Sequence, residues 1–213
     1  MSAVFIAAWA STGAAVGAAL SPLYLRLLPS LPSDTGTPRL ATLGTGITFA
    51  AVAWRFEDQF ELLPYSALAA LGVVLAVIDL IEQRLPTPLT YVCGVLVGAL
   101  LASSAALHSR VPDLLRAVTG MALLTVFYVV LALASAGNLG AGDVKFGAVI
   151  GLATAWHGWT ALLVSTWLGL ALAALTLLVP PLRRRWRRQD TVAVPFGPFQ
   201  LAGALVAVLA PSS

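Results

Sequence analysis

Charge is what this sequence has least of: of 213 residues, 10% are Asp, Glu, Lys or Arg, where a soluble domain carries about 25%. Together with 59% apolar residues and a mean hydropathy of +0.92, this scarcity excludes an ordinary soluble domain. The apolar runs recur along the whole chain, so nearly all of it has to be accommodated in lipid. Cysteine is reduced to Cys93, which excludes an internal disulfide and any CxxC zinc module. Histidine is reduced to His108 and His157, with no HExxH, so the sequence offers no ligand set for a metal. Base is concentrated: five of the twelve Lys and Arg residues are Arg183, Arg184, Arg185, Arg187 and Arg188. No aromatic platform accompanies that run, so it reads as a membrane-topology signal and not as a nucleic-acid contact.

What is present is a series of apolar segments. Spans of some 20 apolar residues, shorter where Gly and Pro interrupt, are expected at Ala3 to Leu20, Leu40 to Trp54, Leu63 to Ile81 and Leu89 to Leu107. Four more are expected at Leu114 to Ser135, Val144 to Ala155, Trp159 to Leu182 and Phe196 to Ala210. The expected fold is an all-α polytopic membrane helix bundle of about eight transmembrane helices, a single domain over residues 1–213. With both termini outside, the inner loops hold Arg26, Arg39, Arg84, Lys145 and the five clustered arginines, and the outer loops only Arg55, Arg110 and Arg116.

The first run lacks a basic segment at Met1, Ser2 and Ala3, so it reads as a helix and not as a secretory leader. The stretch from Ser21 to Arg39 carries Pro22, Pro29, Pro32, Gly36 and Pro38 and reads as a short inner linker without helix. Glycines four apart, at Gly13 and Gly17, Gly94 and Gly98, and Gly147 and Gly151, predict close helix packing within the chain. Trp54, Trp156, Trp159 and Trp186 suit interfacial positions, and His157 suits an outer loop.

Seven of the nine acids fall in loops or just beyond a span. Asp79, in the last turn of the third span, and Asp143, opening the sixth, do not. An ionisable group in a transmembrane helix is costly and marks a functional site by default, although a capping role for Asp143 as N-cap fits the same position. The alternating direction of the spans puts both carboxylates at the same, inner, face. Two neighbouring carboxylates in a poorly solvated place share one proton and supply an acid and a base. The helix ends favour an anion at Asp143 and disfavour one at Asp79, which makes Asp143 the expected base. Gly140 and Gly142, flanking Ala141 just before Asp143, permit close approach of another backbone.

GAGDVKF, together with the upstream DLIEQRLP, closely resembles the type IV prepilin leader peptidases, membrane aspartic proteases of the GxGD type. The resemblance is strongest over residues 63–178. It extends to Pro195, Phe196, Gly197, Pro198 and Phe199, similar to a PFGPF element of the family, and to Arg26 and Pro29 after the first helix. It implies Asp79 and Asp143 as the catalytic pair, with Gly140, Gly142, Lys145 and Pro86 as supporting motif residues. It also implies a pilin-like precursor as substrate, with a short basic leader ahead of an apolar helix, cut at the cytoplasmic face of a bacterial inner membrane without a cofactor. Glu82, three residues after Asp79, faces the leader's positive charge on this reading, although a plain solvated acid fits as well. Lys145 reads either as a partner for an acidic substrate residue or as an anchor at the inner face. Thr87 stands where the family usually has Asn or Asp. Many bacterial relatives insert a cysteine-rich cytoplasmic domain after the first helix and methylate the new pilin N-terminus. The short Ser21 to Arg39 segment has no cysteine, so the methyltransferase activity is not carried over. A different class fits the same two acids, a small proton- or cation-coupled transporter; it predicts polar groups near mid-membrane.

Overall fold

The computed structural model describes residues 2–27, 36–57, 59–135, 139–178, 187–188, 191–192 and 195–210. The described residues are almost wholly helical. Chain order gives α1 (Ala3–Ala19), α2 (Ser21–Leu27), α3 (Thr37–Phe56), α4 (Leu62–Glu82) and α5 (Thr87–His108). α6 (Val111–Ala134), α7 (Ala141–His157), α8 (Trp159–Leu178) and α9 (Gly197–Leu209) follow. Between α8 and α9, Arg187–Arg188 pairs antiparallel with Thr191–Val192. Arg183, Arg184, Arg185 and Trp186 lie outside the described residues.

Five segments are long and apolar enough to cross a membrane: Ala3–Leu23, α4, α5, α6 and Trp159–Thr176. The protein is a multi-pass membrane helix bundle. The remaining helices owe their difference to length or polarity. α9 has 13 residues and rises about 20 Å, short of a hydrocarbon core of about 30 Å. α3 has 20 residues but spends several on threonine and arginine.

The Ser21 to Arg39 segment departs from expectation. Ser21–Leu27 is helical, because Pro22 is its second residue, where a missing N–H costs nothing. α3 begins at Thr37, again with a proline, Pro38, in its first turn.

α4 is the central element: two-thirds of its apolar window is buried, and it packs against α3, α5 and α9. Around it α1 packs on α3, α6 on α7 and α8 on α9. Small residues set these distances. A Cβ on Gly17 would lie 2.9 Å from Thr42 Cα, and one on Gly151 would lie 2.5 Å from the Gly120 carbonyl oxygen. The helices therefore approach to backbone contact, as the glycine spacing predicts.

One end of the bundle is clamped by charge. Arg110 pairs with Glu61, at the start of α4, and with Asp113 at 2.6 Å. Asp113 also binds Arg116 at 2.7 Å. Arg116 donates to the carbonyl oxygens of Ala155, at 2.7 Å, and of Trp156. A guanidinium thus satisfies acceptors that the C-terminus of α7 leaves open. Trp156 is fully buried beneath Arg110, 4.9 Å from ring centroid to Cζ, rather than interfacial. His157 ends α7, stacks on Phe56 and lies tilted against the Tyr65 ring, so it is part of the packing and not a loop residue. Trp54 and Trp159 are exposed.

This clamp ties the first turn of α4 to the last turn of α7. Replacing Arg116 with Ala removes two carbonyl hydrogen bonds and one ion pair, and is expected to cost about 2 kcal/mol. A lowered unfolding midpoint of the detergent-solubilised protein checks this.

Candidate active site

The opposite end of the same two helices carries the acids. Asp79 lies in the last turn of α4 and Asp143 in the first turn of α7, with side chains only 3% and 9% exposed as residues. Both are buried well beyond what an unpaired surface carboxylate shows.

α4 stops just after Asp79 because Gln83 takes a left-handed conformation (φ 54°, ψ 40°) and donates its N–H to the Asp79 carbonyl oxygen at 2.8 Å. Pro86 then serves as the N-cap of α5, and its carbonyl accepts both the N–H and the hydroxyl of Thr90 at 3.1 Å. Between these two fixed points the chain turns Leu85 inward, where it is buried. Leu85 wedges between the starts of α7 and α9. A Cβ on Gly142 would lie 2.7 Å from Leu85 Cβ, and one on Gly197 would lie 3.3 Å from Leu85 Cδ2.

α7 starts at Gly140 as N-cap. Asp143 is therefore the third helical residue and not the N-cap itself, and its Oδ2 accepts the Gly140 N–H at 3.1 Å. This is the carboxylate half of a capping box; glycine has no side chain to supply the other half. The other oxygen, Oδ1, is buried and has no hydrogen-bond partner among the described residues. Asp79 Oδ2 accepts the Gly197 N–H at 2.8 Å, a donor that opens α9 from 118 residues away. Each acid thus holds one backbone N–H, so these bonds alone do not rank one acid as base over the other.

Residues of α6 and α9 complete the site. Gln200, 2% exposed, donates its amide to the Asp143 carbonyl oxygen at 3.2 Å. Tyr128 packs its ring edge against Phe196 at 5.7 Å. Sequence reasoning did not single out Leu85, Tyr128 or Gln200. Gln200 carried a signal, being the one amide within the apolar run of α9.

The other sequence-selected residues lie close by but differ in role. Lys145 donates to the Thr87 hydroxyl at 3.0 Å and sits 5.6 Å from the Tyr91 ring centroid, joining the start of α7 to α5. Thr87 and Lys145 are therefore partners. Glu82 is ion-paired with Arg84, which also donates to the Leu27 carbonyl oxygen at 3.2 Å. Among the described residues no three His, Cys, Asp or Glu side chains converge as a metal site would require.

Gly142 has no room for a side chain, since the nearest obstacle is the Cβ of a buried residue and the carbonyl behind it. Gly142→Ala is expected to displace the Leu85 turn at a cost of about 1–3 kcal/mol, the usual range for overpacking. Thermal unfolding in detergent measures it, and an unchanged midpoint would show that the turn yields freely.

The class defined by this arrangement is a multi-pass membrane protein that buries two carboxylates from different helices at one end of its bundle. The chain matches the model of the type IV leader peptidase family over residues 66–179, more than half its length, and belongs to that family. Neither comparison with curated proteins nor comparison with solved structures gave a match.

Proposed function

We propose that the protein is a membrane aspartic endopeptidase that removes the short basic leader from type IV pilin-like precursors at the cytoplasmic face of a bacterial inner membrane. Family membership supplies the leader-peptidase class. The observation that carries the mechanism is the burial of Asp79 and Asp143 at the same end of α4 and α7, held around one leucine and the start of α9.

In this mechanism the pair holds one proton. The ionised carboxylate takes a proton from water as the water oxygen attacks the scissile carbonyl carbon. The protonated carboxyl hydrogen-bonds the carbonyl oxygen and gives it that proton. Collapse of the tetrahedral diol then returns a proton to the leaving amine and leaves the pair with one proton again. Asp143 is assigned as base, because the N-terminus of α7 favours its anion. No covalent intermediate and no cofactor enter, and the activity is proteolysis without N-methyl transfer.

Gly142 serves the pair by letting Leu85 close in beside it, Gly140 by giving its N–H to Asp143, and Pro86 by fixing the turn that carries Leu85. Glu82 is assigned to the leader's positive charge, exchanging Arg84 for a base of the leader. In the membrane we place eight spans in a single domain with both termini outside. This reading rests on the packing of α3, α7 and α9 among the five long apolar helices and on the excess of inner-loop bases.

Co-expression with a pilin-like precursor tests the activity. The shortened product is expected with the native chain and absent without it. An uncut precursor across several pilin-like sequences, at equal expression, would remove the peptidase reading.

A further inference from the structure

α4 and α7 carry the two acids, yet among the described residues they touch each other little, while α5 and α9 each pack against both. Where Asp79 stands relative to Asp143 is therefore decided by other helices. Of these two, α9 reaches both acid-bearing residues by hydrogen bonds. Gly197, its first residue, donates its N–H to Asp79 Oδ2 at 2.8 Å, and Gln200 donates Nε2 to the Asp143 carbonyl oxygen at 3.2 Å. Residues three apart lie on one face of a helix, about 4.5 Å along its axis. A single turn of α9 thus holds both acid-bearing segments.

That turn is itself fixed. A Cβ on Gly203 would lie 2.4 Å from the Ser165 carbonyl oxygen of α8, and one on Gly72 of α4 would lie 2.7 Å from Leu201 Cδ1. α9 is seated on α8 and α4 by these close approaches, independently of α7.

Gln200 is out of place as a packing residue. It is 2% exposed in an otherwise apolar helix, and a buried amide is costly unless its hydrogen-bonding groups are used. Its partner is a carbonyl, which only accepts, so the amide nitrogen has to face it. Oε1 is then left buried with no hydrogen-bond partner among the described residues. The Asp143 carbonyl lies in the first turn of α7, where a helical N–H already serves it. A hydrocarbon side chain of the same length would fill the space without an unpaired oxygen. What it would lack is the tie between α9 and α7.

We infer that Gln200 is a positioning residue that, with Gly197 one turn earlier, sets the separation of the two carboxylates and so how strongly they share a proton. The inference rests on the peptidase reading above and deepens it. Two neighbouring carboxylates titrate in two steps, and the gap between the steps grows as the groups approach. Without the tie, their repulsion moves the start of α7 away from Asp79 and the steps draw together.

Gln200→Met in lipid vesicles tests this, with infrared titration of the carboxyl bands that Asp79→Asn and Asp143→Asn remove. The gap between the steps is expected to narrow by about one pH unit. For a pilin-like precursor, kcat should fall about tenfold or more with KM unchanged, and the unfolding midpoint should hold or rise. Glu82, Arg84, Tyr91, Tyr128 and Lys145, the titratable groups on the neighbouring elements at this end, stay in place, Arg26 and Arg39 are exposed, and α8 and α9 carry none. The gap therefore reads the spacing. Val208→Ala, on the buried side of the same helix, should lower the midpoint and leave the gap and kcat as they are. An unchanged gap, or both steps shifted equally with a lowered midpoint in Gln200→Met, makes Gln200 a packing residue and overturns the inference. Cleavage by the native chain, scored in the same vesicles, separates the two claims. A native chain that cuts, with gap and kcat unchanged in Gln200→Met, keeps the peptidase and removes the positioning role. A gap that narrows in a chain that does not cut keeps the positioning role and removes the peptidase reading.

Discussion

Asp79→Asn and Asp143→Asn each abolish release of the leader, with a fall of at least about 10³-fold expected from the loss of a general acid or base. Asparagine keeps the size of the side chain, and its carbonyl can still accept the Gly197 or Gly140 N–H that the carboxylate accepts now. What it cannot do is carry or give up the shared proton. Fold and chemistry are therefore separable here. The two variants should insert, purify and unfold much like the native protein while neither cuts. The double variant should be no worse than either single one, because two groups acting as one unit are not additive. Residual cleavage in one variant would take that residue out of the mechanism.

The second large effect is expected at Gly197. Its N–H is the donor to Asp79 Oδ2, and a Cβ there would stand 3.1 Å from that same oxygen and 3.3 Å from Leu85 Cδ2. Gly197→Ala keeps the donor and asks its neighbours to give by a few tenths of an ångström. A fall in cleavage of about tenfold is expected. Gly197→Val adds two methyl groups facing Asp79 and Leu85, and the carboxylate has to move. Misplacing a reacting group by about 1 Å costs on the order of 10²-fold, so a hundredfold loss is expected, carried by kcat more than by KM. If both variants cut at the native rate, Gly197 does not position Asp79.

Gly197 also marks where reading the sequence succeeded and where it stopped. The similarity of residues 195–199 to a family element drew attention to this stretch, but nothing in five residues says that its glycine reaches a carboxylate 118 positions earlier. Long-range hydrogen bonds are decided by packing, and packing is not periodic. The helices themselves were legible, because hydropathy and the 1.5 Å rise act locally. Asp79 and Asp143 were legible because a carboxylate inside an apolar run is expensive wherever it points.

The errors have physical causes too. Pro22 and Pro38 read as breakers by type, yet a proline in the first turn of a helix is tolerated. Asp143 as N-cap missed by three residues, because the glycine before it can take the extended conformation of a cap and leaves the acid to reach back. Trp156 and His157 looked interfacial by type. Arg110, Phe56 and Tyr65 cover them, and none of these lies within 40 residues along the chain. Leu85 gave no signal at all, since one leucine beside a proline is unremarkable until two glycines from distant helices close on it.

The most direct test of the central claim uses purified protein in lipid vesicles with a purified pilin-like precursor, the product mass identifying the bond cut and a pH-sensitive dye reporting proton flux across the same vesicles. The account predicts a single cut between the basic leader and the apolar helix, lost in Asp79→Asn and in Asp143→Asn, with no proton flux above that of protein-free vesicles. An intact precursor together with a flux that both substitutions abolish would contradict it and make the two carboxylates a transport site.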